Sequence, residues 1–351
     1  MKKYKLFIFV LLGIIILFLS IYIIYFKNIR KKFEEPKSET KETNLIKDDN
    51  FIPVVVCFDD NYFYPAMVSM TSMLESSNKK INYKIFALIS GDIIENDRKK
   101  FKTLEEKYSN AKVELIDMGN QFEEYSNKMD FCEGGFYILK IPDLLPKEIH
   151  KCIYLDSDTL VIKDLKELYD YDIDDNYISG IPDLIRTGFD WGKPEKFIFG
   201  IPKLDQYINS GVMLWNLDEC RKDELTKKFM LFLKNNWNGH FHDQCVINKI
   251  CYGKIKDLPF KFNVCKNSFQ NDFKFEHKTG ESDIDEPVRK EVIEDPVILH
   301  LCFCKPWRAF GPCAEDWWKT ARKTPFYNEI FNKYSKNFND KDKEKILNFF
   351  N

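Results

Sequence analysis

The chain has 351 residues, of which 44% are hydrophobic and 31% are charged, and its formal net charge is -2 at pH 7. This length suits one large domain or two modest ones. Because acidic and basic residues are mixed along the whole sequence, no basic face for a nucleic-acid backbone is indicated, and we expect no nucleic-acid partner.

The N-terminal region predicts a membrane anchor. Residues 1–5 are a short basic tail, and residues 6–26 contain no charged position. About 20 apolar residues cross a bilayer core as a helix, so we expect a single transmembrane span here. A cleavable signal peptide would have a shorter apolar core and a small-residue cleavage site, whereas a basic segment beginning at Lys27 follows this one.

The sequence also bears on which side of the membrane the downstream chain lies. Three basic residues precede the span and four follow it closely, which slightly favours a cytoplasmic position for the downstream chain. The 10 cysteines show no disulfide-framework spacing, and no Asn-x-Ser/Thr glycosylation site occurs. We therefore predict the cytoplasmic face, with a secretory lumen as the alternative.

Residues 27–50 are polar and predict a disordered linker. We expect one folded domain over residues 51–320 and a helical tail over residues 321–351. The last tail helix carries apolar residues that suit packing on the domain better than a membrane surface.

The first part of the domain alternates strands with helices. Apolar runs predict strands at 51–58, 83–89, 112–118 and 152–155, and helical periodicity occurs around Met67 and at 96–108. Such alternation indicates a parallel sheet covered on both faces. Later strands are predicted at 177–181, 211–217 and 297–303, with a helix at 224–235.

Two carboxylates follow the fourth predicted strand. Asp156 and Asp158 flank Ser157, and residues two apart in an extended segment point to the same side. Open α/β sheets bind ligands at the carboxyl ends of their strands, and paired carboxylates suit Mg2+ or Mn2+. A turn or a solvated acid pair is the alternative reading of Asp-x-Asp.

Polar residues also follow the first strand, at Cys57-Phe-Asp59-Asp-Asn61. Their carboxylate and amide groups can hydrogen-bond a base or ribose, although Asp-Asp-Asn is also a common helix cap. No Gly-x-Gly-x-x-Gly loop accompanies them. A bound diphosphate would therefore have to be neutralised in another way.

Five short motifs follow one another along the chain. They are Asp59-Asp60-Asn61-Tyr62, Tyr154-Leu155-Asp156-Ser157-Asp158-Thr159, Asn209-Ser-Gly-Val-Met-Leu-Trp-Asn216, His242-Asp243-Gln244, and His300 with Lys305-Pro306-Trp307. Their order and spacing resemble glycosyltransferase family 8, which includes bacterial lipopolysaccharide galactosyl- and glucosyltransferases and glycogenin. The resemblance covers about residues 53 to 310.

The resemblance implies a GT-A type nucleotide-sugar-binding fold, with a Rossmann-like mixed sheet flanked by helices. It also implies a UDP-sugar donor and a cation, normally Mn2+, with Mg2+ as the alternative. The implied metal ligands are Asp156, Asp158 and His300. The implied donor-binding residues are Cys57, Asp59, Asn61, Asp156, Ser157 and Lys305. The residues implied around the transferred sugar are Asn209, Asp243 and Gln244.

The family resemblance implies a retaining transferase that moves glucose or galactose to a glycan or glycolipid acceptor. We expect the leaving phosphate to accept the acceptor's proton while Asp243 and Gln244 orient the sugar. A membrane anchor fits a membrane-bound acceptor. The alternatives are an inactive sugar-nucleotide-binding or scaffold protein of the same fold, and a metal-dependent nucleotide hydrolase.

Three positions depart from the family pattern. Ile138 stands where the family often has a donor-contacting arginine, and Lys140 is a candidate replacement. Cys245 stands where the family commonly has an aspartate, and the segment from His300 to Lys305 differs in sequence. Trp307, Trp317 and Trp318 could stack on a sugar, but core packing is the expected role.

Overall fold

The computed structural model describes residues 51–125, 133–183, 201, 206–237, 242–265, 290, 292, 294–302, 305–311 and 313–349. The predicted tail, membrane span and linker of residues 1–50 lie outside the described residues. Within the described ranges, no helix has both the length and the apolar character needed to cross a bilayer.

A mixed sheet of seven strands forms the centre of the fold, in the order β3-β2-β1-β4-β7-β6-β8. Strands β1 to β4 run parallel, whereas β7 is antiparallel to both β4 and β6. The strands are β1 (Phe51–Cys57), β2 (Asn82–Ile89), β3 (Ala111–Asp117), β4 (Lys151–Leu155), β6 (Ile178–Pro182), β7 (Ile208–Asn216) and β8 (Ile255–Asp257). A separate antiparallel pair is formed by β5 (Thr159–Val161) and β9 (Ile298–His300).

Helices cover both faces of the sheet. They are α1 (Phe63–Ser76), α2 (Gly91–Lys107), α3 (Ile141–Leu144), α4 (Lys166–Asp170), α5 (Leu217–Lys222), α6 (Leu225–Asn236), α7 (Asp243–Ile250), α8 (Ala314–Lys323), α9 (Tyr327–Tyr334) and α10 (Asp340–Asn348). The predicted α/β architecture, a mixed sheet flanked by helices, is thereby confirmed.

The sheet separates two apolar cores. In β1, Val54 and Val56 belong to one core, and Val55 and Cys57 belong to the other. Side chains alternate between the faces of a strand, so a strand buried on both faces must be apolar at every position. The continuous apolar run of β1 follows from this burial.

The C-terminal helices complete the first of these cores. Trp307, Trp317 and Trp318 are buried in it, which supports packing over sugar stacking. Helix α8 runs across position 320, and Ile330 and Ile346 from α9 and α10 are fully buried in the same core.

Several boundaries differ from the expected ones. Helix α2 begins at Gly91 rather than at 96, and β9 ends at His300 rather than at 303. The segment Glu133–Lys140, for which no element was predicted, is a 3₁₀ helix. Its apolar run is buried against the sheet.

Candidate active site

The Asp156-Ser157-Asp158 loop leaves the carboxyl end of β4 beside the start of β7. The amide of Asp156 donates to the Gly211 carbonyl at 2.8 Å, which extends the β4–β7 ladder by one bond. The Ser157 hydroxyl donates to the Cys57 carbonyl at 3.0 Å, and this ties the loop to the end of β1. The two motif regions at the carboxyl ends of β1 and β4 therefore meet at one edge of the sheet.

His300 reaches the same place through the β5–β9 pair. In that pair Thr159 lies opposite His300, and the amide of Leu301 donates to the Asp158 carbonyl at 2.9 Å. The His300 Nε2 atom is 3.5 Å from Asp156 Oδ2 and 3.4 Å from Asp158 Oδ1. One ligand atom from each of the three residues lies within 4.8 Å of the others.

Gly211 allows this approach. A Cβ atom at Gly211 would lie 2.0 Å from His300 Cε1 and 2.9 Å from Asp156 Oδ2. Only a residue without a side chain leaves room for the imidazole and the carboxylate together.

A chain of hydrogen bonds sets the orientation of the His300 ring. The Gly211 amide donates to Asn209 Oδ1, so that atom is an acceptor and the Asn263 Nδ2 atom, 2.8 Å away, donates to it. Asn263 Oδ1 then faces His300 Nδ1 at 2.9 Å and accepts its hydrogen. In the neutral ring this leaves the Nε2 lone pair free, directed at the two carboxylates, as a metal ligand requires.

The electrostatics of the two carboxylates are unequal. Burial, followed by the charge of Asp158, raises the pKa of Asp156. Burial would also raise the pKa of Asp158, but the Lys305 ammonium and the protonated form of His300 outweigh it and hold that pKa well below its usual range. The Nζ atom of Lys305 bonds directly to Asp158 Oδ2. The ionised form of Asp156 is thus disfavoured, and a bound cation would stabilise it. Two carboxylate oxygens and one imidazole nitrogen fit a divalent cation such as Mn2+.

Comparison with known proteins decides the family. Residues 53–311 match the profile of Glycosyl transferase family 8. The chain belongs to glycosyl transferase family 8.

Two curated relatives of this family 8 transferase align with most of its length. General stress protein A of Bacillus subtilis is 25% identical over 292 residues, which cover 82% of this chain and 94% of that protein. Lipopolysaccharide 1,2-glucosyltransferase of Escherichia coli is 26% identical over 296 residues, which cover 82% of this chain and 83% of that protein.

The fold of this transferase is also similar to a solved structure. The galactosyltransferase LgtC, in complex with donor and acceptor sugar analogs, aligns with a TM-score of 0.62 at 20% identity, covering 84% of this chain and 100% of that chain. The family 8 transferase accordingly has a GT-A-like α/β fold.

A second cluster of polar residues in this transferase lies near the N-terminal ends of β7 and α7. The Ser210 hydroxyl donates to Asp243 Oδ2 at 3.1 Å. The Gln244 amide is bonded at both ends, since its Oε1 accepts from the Ser210 amide at 3.1 Å and its Nε2 donates to Asp183 Oδ2 at 2.8 Å. Burial, followed by the charge of Asp156, raises the pKa of Asp243 to about 7.

The candidate nucleotide end lies after β1. Asp59 caps a 3₁₀ turn, since its Oδ1 atom accepts from the Tyr62 amide at 3.2 Å. Asn61 is exposed. The Cys57 side chain is buried, and its carbonyl accepts from Ser157. The hydrogen bond between Ser157 and Cys57 thus joins the loop after β4 to the loop after β1.

The positions that depart from the family pattern are mostly buried. Ile138 is fully buried, and Lys140 at the end of the same 3₁₀ helix is half-buried. Cys245 is buried, with its Sγ 3.3 Å from the Tyr207 hydroxyl oxygen.

Sequence motifs do not single out three other residues of the site. Asn263 and Asp183 lie in no motif, and nothing in their spacing points to His300 or Gln244 as their partners. Tyr154, whose hydroxyl donates to Asp156 Oδ1 at 2.6 Å, lies inside a motif but in an apolar strand. For Tyr154, the one available signal was a hydroxyl group on an apolar strand two residues before Asp156.

Proposed function

We propose that this chain transfers a hexose, glucose or galactose, from a UDP-sugar to a glycan or glycolipid acceptor, with retention of configuration and with a divalent cation, Mn2+ or Mg2+. The observation that carries this proposal is the convergence of Asp156, Asp158 and His300 within 4.8 Å, with Lys305 bonded to Asp158. The site lies at a sheet edge without a glycine-rich phosphate loop, so positive charge has to come from a cation and a lysine.

Asp156, Asp158 and His300 would hold the cation, which when bound supplies positive charge to a diphosphate leaving group. Lys305 adds a fixed charge of its own beside it. Since 19% of the Lys305 side chain is exposed, its ammonium is partly desolvated and acts strongly on a nearby phosphate. Asp59 and Asn61, on the adjacent loop, are the proposed contacts to uracil and ribose.

The sugar end is assigned to Asn209 and Asp243, with Gln244 bonded beside them. A raised pKa leaves Asp243 only partly ionised near neutral pH, which suits a carboxyl group that hydrogen-bonds a sugar hydroxyl. The Gln244 amide is already bonded to Ser210 and Asp183, so it holds the Asp243 turn against β7 and orients the sugar through that turn.

Metal-dependent UDP release tests the proposal. We expect the purified enzyme to release UDP from UDP-glucose or UDP-galactose when Mn2+ is added, with water as a slow acceptor, and EDTA to stop it. Asp158→Asn removes one ligand and should lower the rate about 100-fold, corresponding to about 3 kcal/mol of lost charge stabilisation. Asp170→Asn, on the surface helix α4, is the matched control and should keep the wild-type rate. Wild-type turnover in Asp158→Asn would sink the assignment.

One observation favours a second candidate, a binding protein without turnover. Ile138 is fully buried where the family often has a donor-contacting arginine. That candidate predicts that UDP binds in the presence of Mn2+ and that no UDP-hexose is consumed. A hydrolase acting on UDP itself would instead release phosphate from UDP.

We also propose that residues 6–26 anchor the enzyme in a membrane, with the catalytic domain on the cytoplasmic face. The support is the run of residues without a charge in the sequence. Full-length protein should stay in the membrane fraction after alkaline washing, and a variant lacking residues 1–50 should not. Recovery of the full-length protein in the soluble fraction would contradict the anchor.

A further inference from the structure

Two cysteines lie beside His300. The Sγ atoms of Cys265 and Cys302 are 2.9 Å apart, and they and one ring nitrogen of His300 all lie within 4.8 Å of one another. Neither cysteine is in a disulfide bond in the structure. Two sulfur atoms and an imidazole nitrogen form a soft donor set, in contrast to the oxygen-rich set formed by Asp156 and Asp158.

The backbone holds these three residues together. Val264 pairs in parallel with Leu299, and the His300 amide donates to the Val264 carbonyl at 2.9 Å. Cys265 therefore lies alongside His300 on the neighbouring segment, and Cys302 follows His300 by two positions. The arrangement is fixed by main-chain hydrogen bonds rather than by chance contact of mobile side chains.

We propose that Cys265, Cys302 and His300 form a second cation site that takes thiophilic divalent ions such as Zn2+. Thiolate and imidazole are the ligands that Zn2+ prefers, whereas Mn2+ and Mg2+ prefer carboxylate oxygens. A Zn–S distance of about 2.3 Å in tetrahedral geometry separates two sulfurs by about 3.8 Å. The two Sγ atoms would have to move apart by less than about 1 Å, which small side-chain rotations can supply.

The two cation sites share His300, so they compete. If the thiophilic ion takes Nε2, the imidazole leaves the two carboxylates. If it takes Nδ1, the single hydrogen of the neutral ring has to sit on Nε2, which then has no lone pair for a second metal. In both cases a Zn2+ ion bound by the cysteines removes one ligand from the Asp156–Asp158 site. Binding at the cysteines does not depend on the proposed transfer activity, whereas the consequence for transfer does.

Cobalt absorption provides the test. Co2+ is added to the reduced enzyme in a thiol-free phosphine reductant, and thiolate-to-cobalt charge-transfer absorption is recorded. We expect one equivalent to give this absorption and one equivalent of Zn2+ to abolish it. Cys265→Ala and Cys302→Ala should each lose the absorption and weaken binding at least about tenfold. Cys251→Ala removes a buried thiol from the other core and should behave as wild type.

The shared ligand is tested by electron paramagnetic resonance of bound Mn2+. Zn2+ also competes with Mn2+ for the carboxylates directly, so one equivalent of Zn2+ should release more Mn2+ from the wild type than from the Cys265→Ala/Cys302→Ala double variant. Circular dichroism matching the wild type establishes that each variant is folded. The proposal is wrong if the wild type shows no charge-transfer absorption, if the absorption persists in the double variant, or if Zn2+ displaces Mn2+ equally from both proteins. An enzyme that shows the absorption but releases no UDP would refute the proposed function and leave the second site standing.

Discussion

Replacing Asp243 with asparagine tests the electrostatics of the site without any assumption about substrate. The pKa of Asp243 is raised from 3.8 to about 7, by burial first and by the charge of Asp156 second. Between these two values the folded protein keeps a proton that the unfolded chain has lost. Wild-type stability should therefore fall as the pH rises through this window and level off above the folded-state pKa. Asparagine carries no such proton.

The size of the effect follows from the shift. About 3 pKa units at about 1.36 kcal/mol each give about 4 kcal/mol as an upper limit. Since 19% of the Asp243 side chain is exposed, solvent screening reduces this, and we expect about 2 kcal/mol. Asparagine retains a side-chain oxygen that can accept the Ser210 hydroxyl, so the variant keeps the 3.1 Å contact and isolates the charge.

The assay is urea unfolding in EDTA from about pH 4.5 to about pH 8.5, a range that spans the titration of the folded carboxyl group. The unfolding free energy of Asp243→Asn minus that of the wild type should rise with pH and become constant above about pH 8. Asp170→Asn should run parallel to the wild type. A difference that stays flat across the range, or that falls with pH, would refute the reasoning.

Two further changes test contacts at the site, and a third tests a buried arginine elsewhere in the fold. Gly211→Ala places a methyl group 2.0 Å from His300 Cε1 and should weaken Mn2+ binding, measured by paramagnetic resonance, at least about tenfold. The control Gly135→Ala, whose Cβ lies 3.5 Å from its nearest neighbour, should not weaken it, and equal affinities of the two variants would contradict the steric argument. Asn263→Leu removes the acceptor of His300 Nδ1 and should lower Mn2+ affinity about 10- to 100-fold by titration, with unchanged affinity as the contrary result. Arg221→Lys loses the guanidinium fork that donates to five carbonyls between 142 and 149, and should cost about 3 kcal/mol in urea unfolding; a loss under about 0.5 kcal/mol would contradict it.

Local sequence pattern predicted much of the regular fold. The apolar runs of β1, β2 and β4 were long enough, and sufficiently bounded by polar residues, to place these strands within two residues of their observed ends. The position of Asp156-Ser157-Asp158 at the end of β4 was also predictable, because polar side chains reappear where a buried apolar strand ends. His300 and Lys305 were found through the family resemblance alone.

Tertiary contacts were beyond the reach of the sequence. Asn263 bonds to Asn209 and to His300, partners 54 and 37 positions away, and no spacing rule connects them. The apolar pattern around Ile138 does not identify the observed 3₁₀ helix, because a buried 3₁₀ helix and a buried strand are apolar in the same way. The burial of Gln244 between Ser210 and Asp183 likewise depends on how β7 meets α7.

The β5–β9 pair has a consequence for how the enzyme matures. It joins Thr159 to His300 and is the step that brings the imidazole to the two carboxylates. During synthesis, β1 to β4 can pair and acquire their helices while the segment carrying His300 is still being made, but the three proposed cation ligands cannot come together before it emerges. Cation affinity should therefore appear abruptly and late in a series of ribosome-stalled chains of increasing length, when β9 becomes free to pair.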